Sequence, residues 1–321
     1  MIKSFLNHPL YDYDRQKADL LKAIFPFCII IHHLAHYNLP GISIFEWIGI
    51  WVMYLFFAMS GYGLVISYTK KQGYINGFLR RSIPKLFIPY IITFILFTIY
   101  RFFDGMDVFA QIELFRAKGL FSFIPTSWFI YILSLLYVFF FAVFRYSKSS
   151  VVKKVVLTAC LVIGYCLIAP HLGVSRWRYD KCPAFIVGML FALFDNHKAR
   201  FARWHVLLAV GILLGLLSLP WGHRLDPLYY PSIIFMMMFV LPGGGFMKSR
   251  IVKFFSSISL EMFIIQYIPI YFIMDHFVWG ESCRSTIIII LLVLLIDVLL
   301  AYVMHKLIEF FRSKPGSKSA C

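Results

Sequence analysis

A lysine and a histidine stand eleven residues apart in the first long apolar run of the chain, Leu20-Leu21-Lys22-Ala23-Ile24-Phe25-Pro26-Phe27-Cys28-Ile29-Ile30-Ile31-His32-His33. Wound as a helix, eleven residues turn through roughly 1,100° and rise about 16 Å, so both side chains point to nearly the same face at different depths. Ionisable groups inside a spanning helix are costly and mark functional sites by default. Burial disfavours the cationic form of a histidine, and a neutral imidazole is the usual general base for activating a hydroxyl. Lys22 is placed to hold an anionic donor or to neutralise charge on an oxygen. The two are too far apart to bond to one another and read as stations along a path. The same residues also admit a structural reading, with Lys22 snorkelling to the surface and His33 bonded to a neighbouring span. Of the nearby histidines, His36 shares the face of His33, and His32 lies about 100° round from it.

Three further clusters could join them. Met59-Ser60-Gly61-Tyr62-Gly63 sets small residues in an apolar segment, where another backbone can come close. Phe78-Leu79-Arg80-Arg81-Ser82-Ile83-Pro84-Lys85, followed by Pro89, crowds three cations at the expected entry of a helix. Arginine forks match phosphates, so a phosphate-rich ligand such as a coenzyme A thioester would suit them; ordinary basic flanking charge explains them as well. Pro125-Thr126-Ser127-Trp128-Phe129-Ile130-Tyr131 opens another apolar run, where an interfacial belt is the simpler account of its aromatics.

The elements that must carry these residues follow from composition. Apolar residues make up 61% of the chain and charged ones 14%, with a mean hydropathy of +0.80. A soluble domain of this length cannot bury that much apolar surface, so an all-α polytopic membrane protein is predicted. Ten spans are expected, at 20–37, 44–68, 86–103, 127–144, 151–169, 183–195, 204–220, 228–242, 254–275 and 285–306. With both termini inside, 23 of the 31 Lys and Arg residues fall on the inner side and 8 on the outer. That asymmetry predicts cytoplasmic termini in a cell membrane, plasma or inner, and accounts for the net charge of +16 without nucleic acid. The first run is expected to stay as a helix, since no small-residue cleavage site follows it. A single domain over residues 1–321 is expected, with a disordered tail at about 312–321. The six cysteines show no metal-ligand spacing, and no metal is expected; a disulfide between Cys182 and Cys283 is left open.

In this order, the clusters resemble the acyltransferase-3 family of membrane-embedded acyltransferases. Lys22 and His33 are similar to its basic residue, ten-residue gap and histidine in the first helix. Ser60-Gly61-Tyr62 resembles its Ser-Gly-aromatic element, Arg80 to Pro89 its basic, proline-punctuated entry, and Trp128 with Tyr137 its later aromatic segment. Ser259 to Pro269 is similar to a late stretch ending Tyr-Leu-His-Pro, although Gln266 stands where many relatives have histidine. One large subgroup carries an acidic pair near the positions of Leu133 and Ser134, which this chain lacks. An appended SGNH-type hydrolase domain, found in some relatives, is also missing. Glu261 and Asp297 remain as acids of unassigned role within apolar runs; an unpaired charge at Asp297 would cost on the order of 3 kcal/mol.

The resemblance implies an O-acyltransferase moving an acyl group, most simply acetyl, from cytoplasmic acyl-CoA to a hydroxyl of a cell-surface glycan or its lipid-linked precursor. Acetyl-CoA would be a co-substrate and not a resident cofactor. His33 and Lys22 are the catalytic candidates, Arg80, Arg81 and Lys85 the donor-binding ones, and Ser60 and Trp128 would shape the channel. The competing reading is a proton-coupled transporter or flippase for a glycan or organic anion, with His33 and Asp297 as relay. Transporters of that kind usually show internal repeats, and none is visible in this sequence.

Overall fold

The computed structural model describes residues 15–107, 113, 124–195, 245–277 and 282–313, and every regular element among them is helical. In chain order these are α1 (Arg15–Ala35), α2 (Ile48–Lys70, preceded by a 3₁₀ turn Ser43–Trp47), α3 (Phe78–Phe103) and α4 (Ser127–Tyr146). There follow α5 (Val151–Ile168), the short α6 (Arg176–Tyr179), α7 (Pro183–Asp195), α8 (Arg250–Ile265), α9 (Tyr267–His276) and α10 (Cys283–Ser313). Among the described residues, six helical stretches are long and apolar enough to cross a membrane: α1, Ser43–Lys70, α3, α4, Val151–Leu172 and α10. The expected spans 20–37, 44–68, 86–103, 127–144, 151–169 and 285–306 fall on these. The expected spans 204–220 and 228–242, and the tail from 314, lie outside the described residues.

Two expected boundaries are corrected. The third helix starts at Phe78, ahead of the expected 86, so Arg80, Arg81 and Lys85 sit on α3 itself, with Pro84 and Pro89 inside it. Each proline leaves the carbonyl four residues back, that of Arg80 or Lys85, without its intrahelical donor, yet the helix runs through both. The expected span 254–275 is not one helix, because α8 and α9 meet at Gln266. Pro269 is the cause: it offers no N–H to the Ile265 carbonyl, and its ring crowds that turn.

The described chain divides into two compact units. The first contains residues 50–81 and 132–195, hence nearly all of α2, the start of α3, most of α4, and α5 to α7. Within it α2 and α7 touch backbone to backbone. A Cβ at Gly61 would collide with the Phe185 carbonyl, and one at Gly188 with the Ala58 carbonyl. Lys154 of α5 is buried, its Nζ donating to the Tyr68 hydroxyl at 2.7 Å and the Phe144 carbonyl at 3.3 Å. The stacked Phe140–Phe144 pair and Phe78 fill the space beside it. α5 begins at a Ser150 cap, whose hydroxyl accepts from the Lys153 N–H. Cys182 is buried with the Cys166 thiol as its hydrogen-bonding neighbour, and both Cys182 and Cys283 are free thiols, so no disulfide joins them.

The second unit contains residues 19–49, 82–107, 113, 124–131, 249–277 and 282–313, hence most of α1, most of α3, the start of α4, and α8 to α10. Its core joins Ile30 and Leu34 of α1 with Met262, Ile265, Ile270, Val293 and Ala301. α10 shows a clear division of faces. Ile287, Leu291, Leu295, Leu299 and Val303 are exposed at every fourth position, as a lipid-facing stripe requires. Ile289, Val293, Asp297, Ala301 and Met304 are buried on the other side.

If the α2–α7 approach holds the first unit together, Gly188→Ala should destabilise the protein by about 1–3 kcal/mol, since the opposing carbonyl cannot move aside. Gly63, whose added Cβ would meet nothing within 4 Å, should accept alanine with a change under about 0.5 kcal/mol. Reversible chemical unfolding in micelles checks this, and equal effects at the two positions would refute it.

Candidate active site

His33 lies on the last helical turn of α1, partly buried, and its Nδ1 sits 3.0 Å from the hydroxyl of Tyr267 at the start of α9. The two rings pack at 4.8 Å. His32 and His33 stand ring to ring at 4.9 Å, and His32 and His36 at 4.7 Å. A side chain at Gly49 would drive into the His32 imidazole, so the glycine lets the first turn of α2 lie against that ring.

Tyr267 follows directly on the interruption at Gln266, whose own backbone stays in the helical region (φ −50°, ψ −28°). The Gln266 side-chain amide donates to the Phe263 carbonyl at 2.6 Å, and the Thr126 hydroxyl donates to the Ile264 carbonyl at 3.2 Å. In a water-free setting, backbone carbonyls near a proline must find such donors, and side chains of neighbouring segments supply them. The Thr126 bond draws the segment Pro125–Phe129 onto the broken helix, where Phe129 meets Phe263 edge to face at 4.9 Å. Trp128, on the first turn of α4, is therefore buried and not part of an exposed aromatic belt.

Lys22 is exposed on α1, roughly 16 Å nearer the helix start than His33. Pro26 leaves the Lys22 carbonyl without its intrahelical donor. Glu261 is buried on α8 and bonded to His305 Nδ1 of α10 at 2.9 Å, while His305 Nε2 lies 3.4 Å from Glu309. Asp297 is fully buried, and neither of its oxygens has a hydrogen-bond partner among the described residues.

The remaining sequence candidates belong to the first unit, apart from Lys85, which is exposed on α3. Ser60 of α2 is partly buried with the Tyr137 hydroxyl as its hydrogen-bonding neighbour. Arg80 is exposed. Arg81 directs its guanidinium at the turn before α3, donating to the carbonyls of Asn76 and Tyr74 at 2.6 Å each. Arg145 donates to the Asn76 side chain at 2.7 Å. The turn between α2 and α3 is thus fastened by two arginines, and Arg81 positions the cationic start of α3.

An acyltransferase-domain family model (Acyl_transf_3) matches residues 15–306. The chain belongs to the acyltransferase-3 family. No curated protein and no solved structure matches it. As a member of the family it is a membrane acyltransferase, and the matched region includes α1 with its Lys22 and His33 and the broken α8–α9 segment.

Tyr267 is the residue that the sequence reading passed over. It lay in view beside the Gln266 departure, next to a proline in a late apolar run, but only the packing of α9 on α1 brings its hydroxyl to His33. Tyr267→Phe, which keeps the ring and removes the hydroxyl, should slow acyl transfer at saturating substrates about three- to tenfold, the worth of one net hydrogen bond of 0.5–1.5 kcal/mol. Turnover and KM measured side by side test this. A change in KM alone would show that the hydroxyl does not position the imidazole.

Proposed function

We propose that the protein is an acyl-CoA-dependent O-acyltransferase, using acetyl-CoA as donor and a hydroxyl of a cell-surface glycan or its lipid-linked precursor as acceptor. The observation that carries the reading is the His33–Tyr267 bond within an acyltransferase-3 chain. With the Tyr267 oxygen accepting from Nδ1–H, the Nε2 lone pair of His33 is free to act as a base. The acceptor oxygen attacks the thioester carbonyl carbon and forms the new ester as the carbon–sulfur bond breaks. The hydroxyl proton passes to His33 Nε2 and then to the departing coenzyme A thiolate.

Arg80, Arg81 and Lys85 are assigned to the donor phosphates, Arg81 also keeping its hold on the preceding turn. Lys22 takes the donor further along α1, where its exposed ammonium suits an anionic ligand. Ser60 and Trp128 shape the passage for the acyl group. The ten-span plan with both termini cytoplasmic, in a plasma or inner membrane, belongs to this proposal. It sets the donor at the start of α1 and the acceptor at its end. Residues 1–321 act in it as one acyltransferase domain.

The purified protein in nanodiscs with radiolabelled acetyl-CoA and a saccharide acceptor should release coenzyme A and label the acceptor. His33→Ala should reduce both by 10²–10⁴-fold. Transfer that persists at the same rate in that variant would remove His33 from the mechanism. Movement of a glycan across the bilayer with no coenzyme A turnover would favour the transporter reading instead.

A further inference from the structure

The second unit carries a polar and aromatic cluster that the chemistry above does not use, at the end where α1, α3 and α9 finish. Arg101, near the end of α3, lays its guanidinium over the Tyr271 ring at 4.0 Å, with Phe97 at 5.3 Å and Tyr100 at 5.7 Å. The same guanidinium pairs with Asp104 at 3.0 Å and reaches Asp275, on the last turn of α9, at 3.9 Å. His276 Nε2 lies 3.2 Å from the other Asp104 oxygen. Arg101 and Asp104 are deep, with side chains 12% and 14% exposed, whereas Asp275 and His276 are each 44% exposed. The cluster therefore has a buried floor and an open lip.

Its connection to His33 runs through Tyr267. Tyr271 packs on Tyr267 at 5.3 Å, and Tyr267 bonds to His33 at 3.0 Å. Tyr37, just past α1, shares the electrostatic neighbourhood of Tyr271, Asp275, Arg101 and Tyr100. Burial first, then Tyr271 and Asp275, push its phenol up to about 12, so it stays a neutral donor at physiological pH. The Tyr100 hydroxyl is buried with no hydrogen-bond partner among the described residues.

We propose that this cluster is the acceptor subsite, and that it seats a neutral, hydroxyl-rich sugar unit whose reacting hydroxyl is presented to His33. The proposal rests on the acyl-transfer reading and adds to it the place and the charge class of the acceptor. Arg101 is already compensated by Asp104 and Asp275, and His276 also leans on Asp104, so among the described residues the cluster holds no spare cation for a carboxylated or phosphorylated sugar. What it does offer is a half-open carboxylate that accepts from hydroxyls, phenols that donate, and a ring floor that packs on the apolar face of a sugar. Three further aromatics able to stack on a sugar, Trp221, Tyr229 and Tyr230, lie outside the described residues. The second unit provides Tyr37, Tyr100 and Tyr271 for that role.

The test is binding of the full chain in nanodiscs to an immobilised panel of neutral, amino and acidic oligosaccharides. The unaltered protein should favour neutral members. Asp275→Asn at the lip, and Tyr37→Phe, which keeps the ring packed against the core and removes only the hydroxyl, should each weaken that binding about three- to tenfold while the thermal transition stays in place. Preference for acidic or amino members, binding to none, or binding by both variants as tight as that of the unaltered protein would overturn the subsite. The outcome is separable from the functional reading. Sugar binding lost in Asp275→Asn without any coenzyme A turnover in the unaltered protein would leave the subsite and sink acyl transfer. Turnover that depends on His33, with sugar binding indifferent to both variants, would do the reverse.

Discussion

The second unit depends on how a helix at membrane depth survives a proline. Where no water can reach, each backbone carbonyl near the break must meet a donor from the protein. Here the Gln266 amide serves Phe263, and Thr126 serves Ile264. Those two bonds do more than stabilise the break. One docks the segment that opens α4 against α8, and the interruption itself starts α9 at Tyr267, beside His33. Were α8 and α9 one unbroken helix, the rotation between Phe263 and Tyr267 would be fixed, and so would the direction of the tyrosine.

The same economy of polar groups runs through both units. Buried polar side chains earn their place through named partners: Lys154 on Tyr68 and the Phe144 carbonyl, Glu261 on His305, Arg101 between carboxylates and over a tyrosine ring. Partnerless buried groups are few among the described residues, and Asp297 is the most prominent. It lies on the inward face of α10, opposite the exposed stripe, so the helix turns its outward surface to lipid and its mid-helix acid inward. In the first unit, close helix approach at Gly61 and Gly188 takes the place of polar contacts, as suits segments that gain nothing from water-driven burial between helices.

Much of the site was legible before any coordinates. The Lys22–His33 spacing set two ionisable groups on one face of one helix, and the glycine of the Ser60-Gly61-Tyr62 element was read as a place of close approach, which Gly61 against the Phe185 carbonyl bears out. Other parts were not. Trp128 was read most simply as part of a belt, because its type and position suit an interface; it is buried by a hydrogen bond made two residues earlier, at Thr126, to a carbonyl 138 residues away in sequence. The turn that the Arg81 guanidinium fastens was hidden too, because the sequence shows its charge and not the carbonyls it reaches. The third helix begins earlier than expected because the prolines at 84 and 89 read as stops, whereas the helix runs through both.

What the amino-acid sequence determined alone is local or additive: which segments are apolar enough to cross a bilayer, which face of α1 carries Lys22 and His33, and the family to which the motifs point. Each follows from residue-by-residue transfer preference and a fixed helical period, neither of which needs a partner segment. Tertiary structure alone decided the pairings, His33 with Tyr267, Glu261 with His305 and Arg101 with Tyr271, since each joins helices far apart in sequence. Their geometry depends on how a broken helix, a glycine contact and a buried carbonyl let those helices pack. Chemistry at His33 was thus written in one helix, but its orientation came from another.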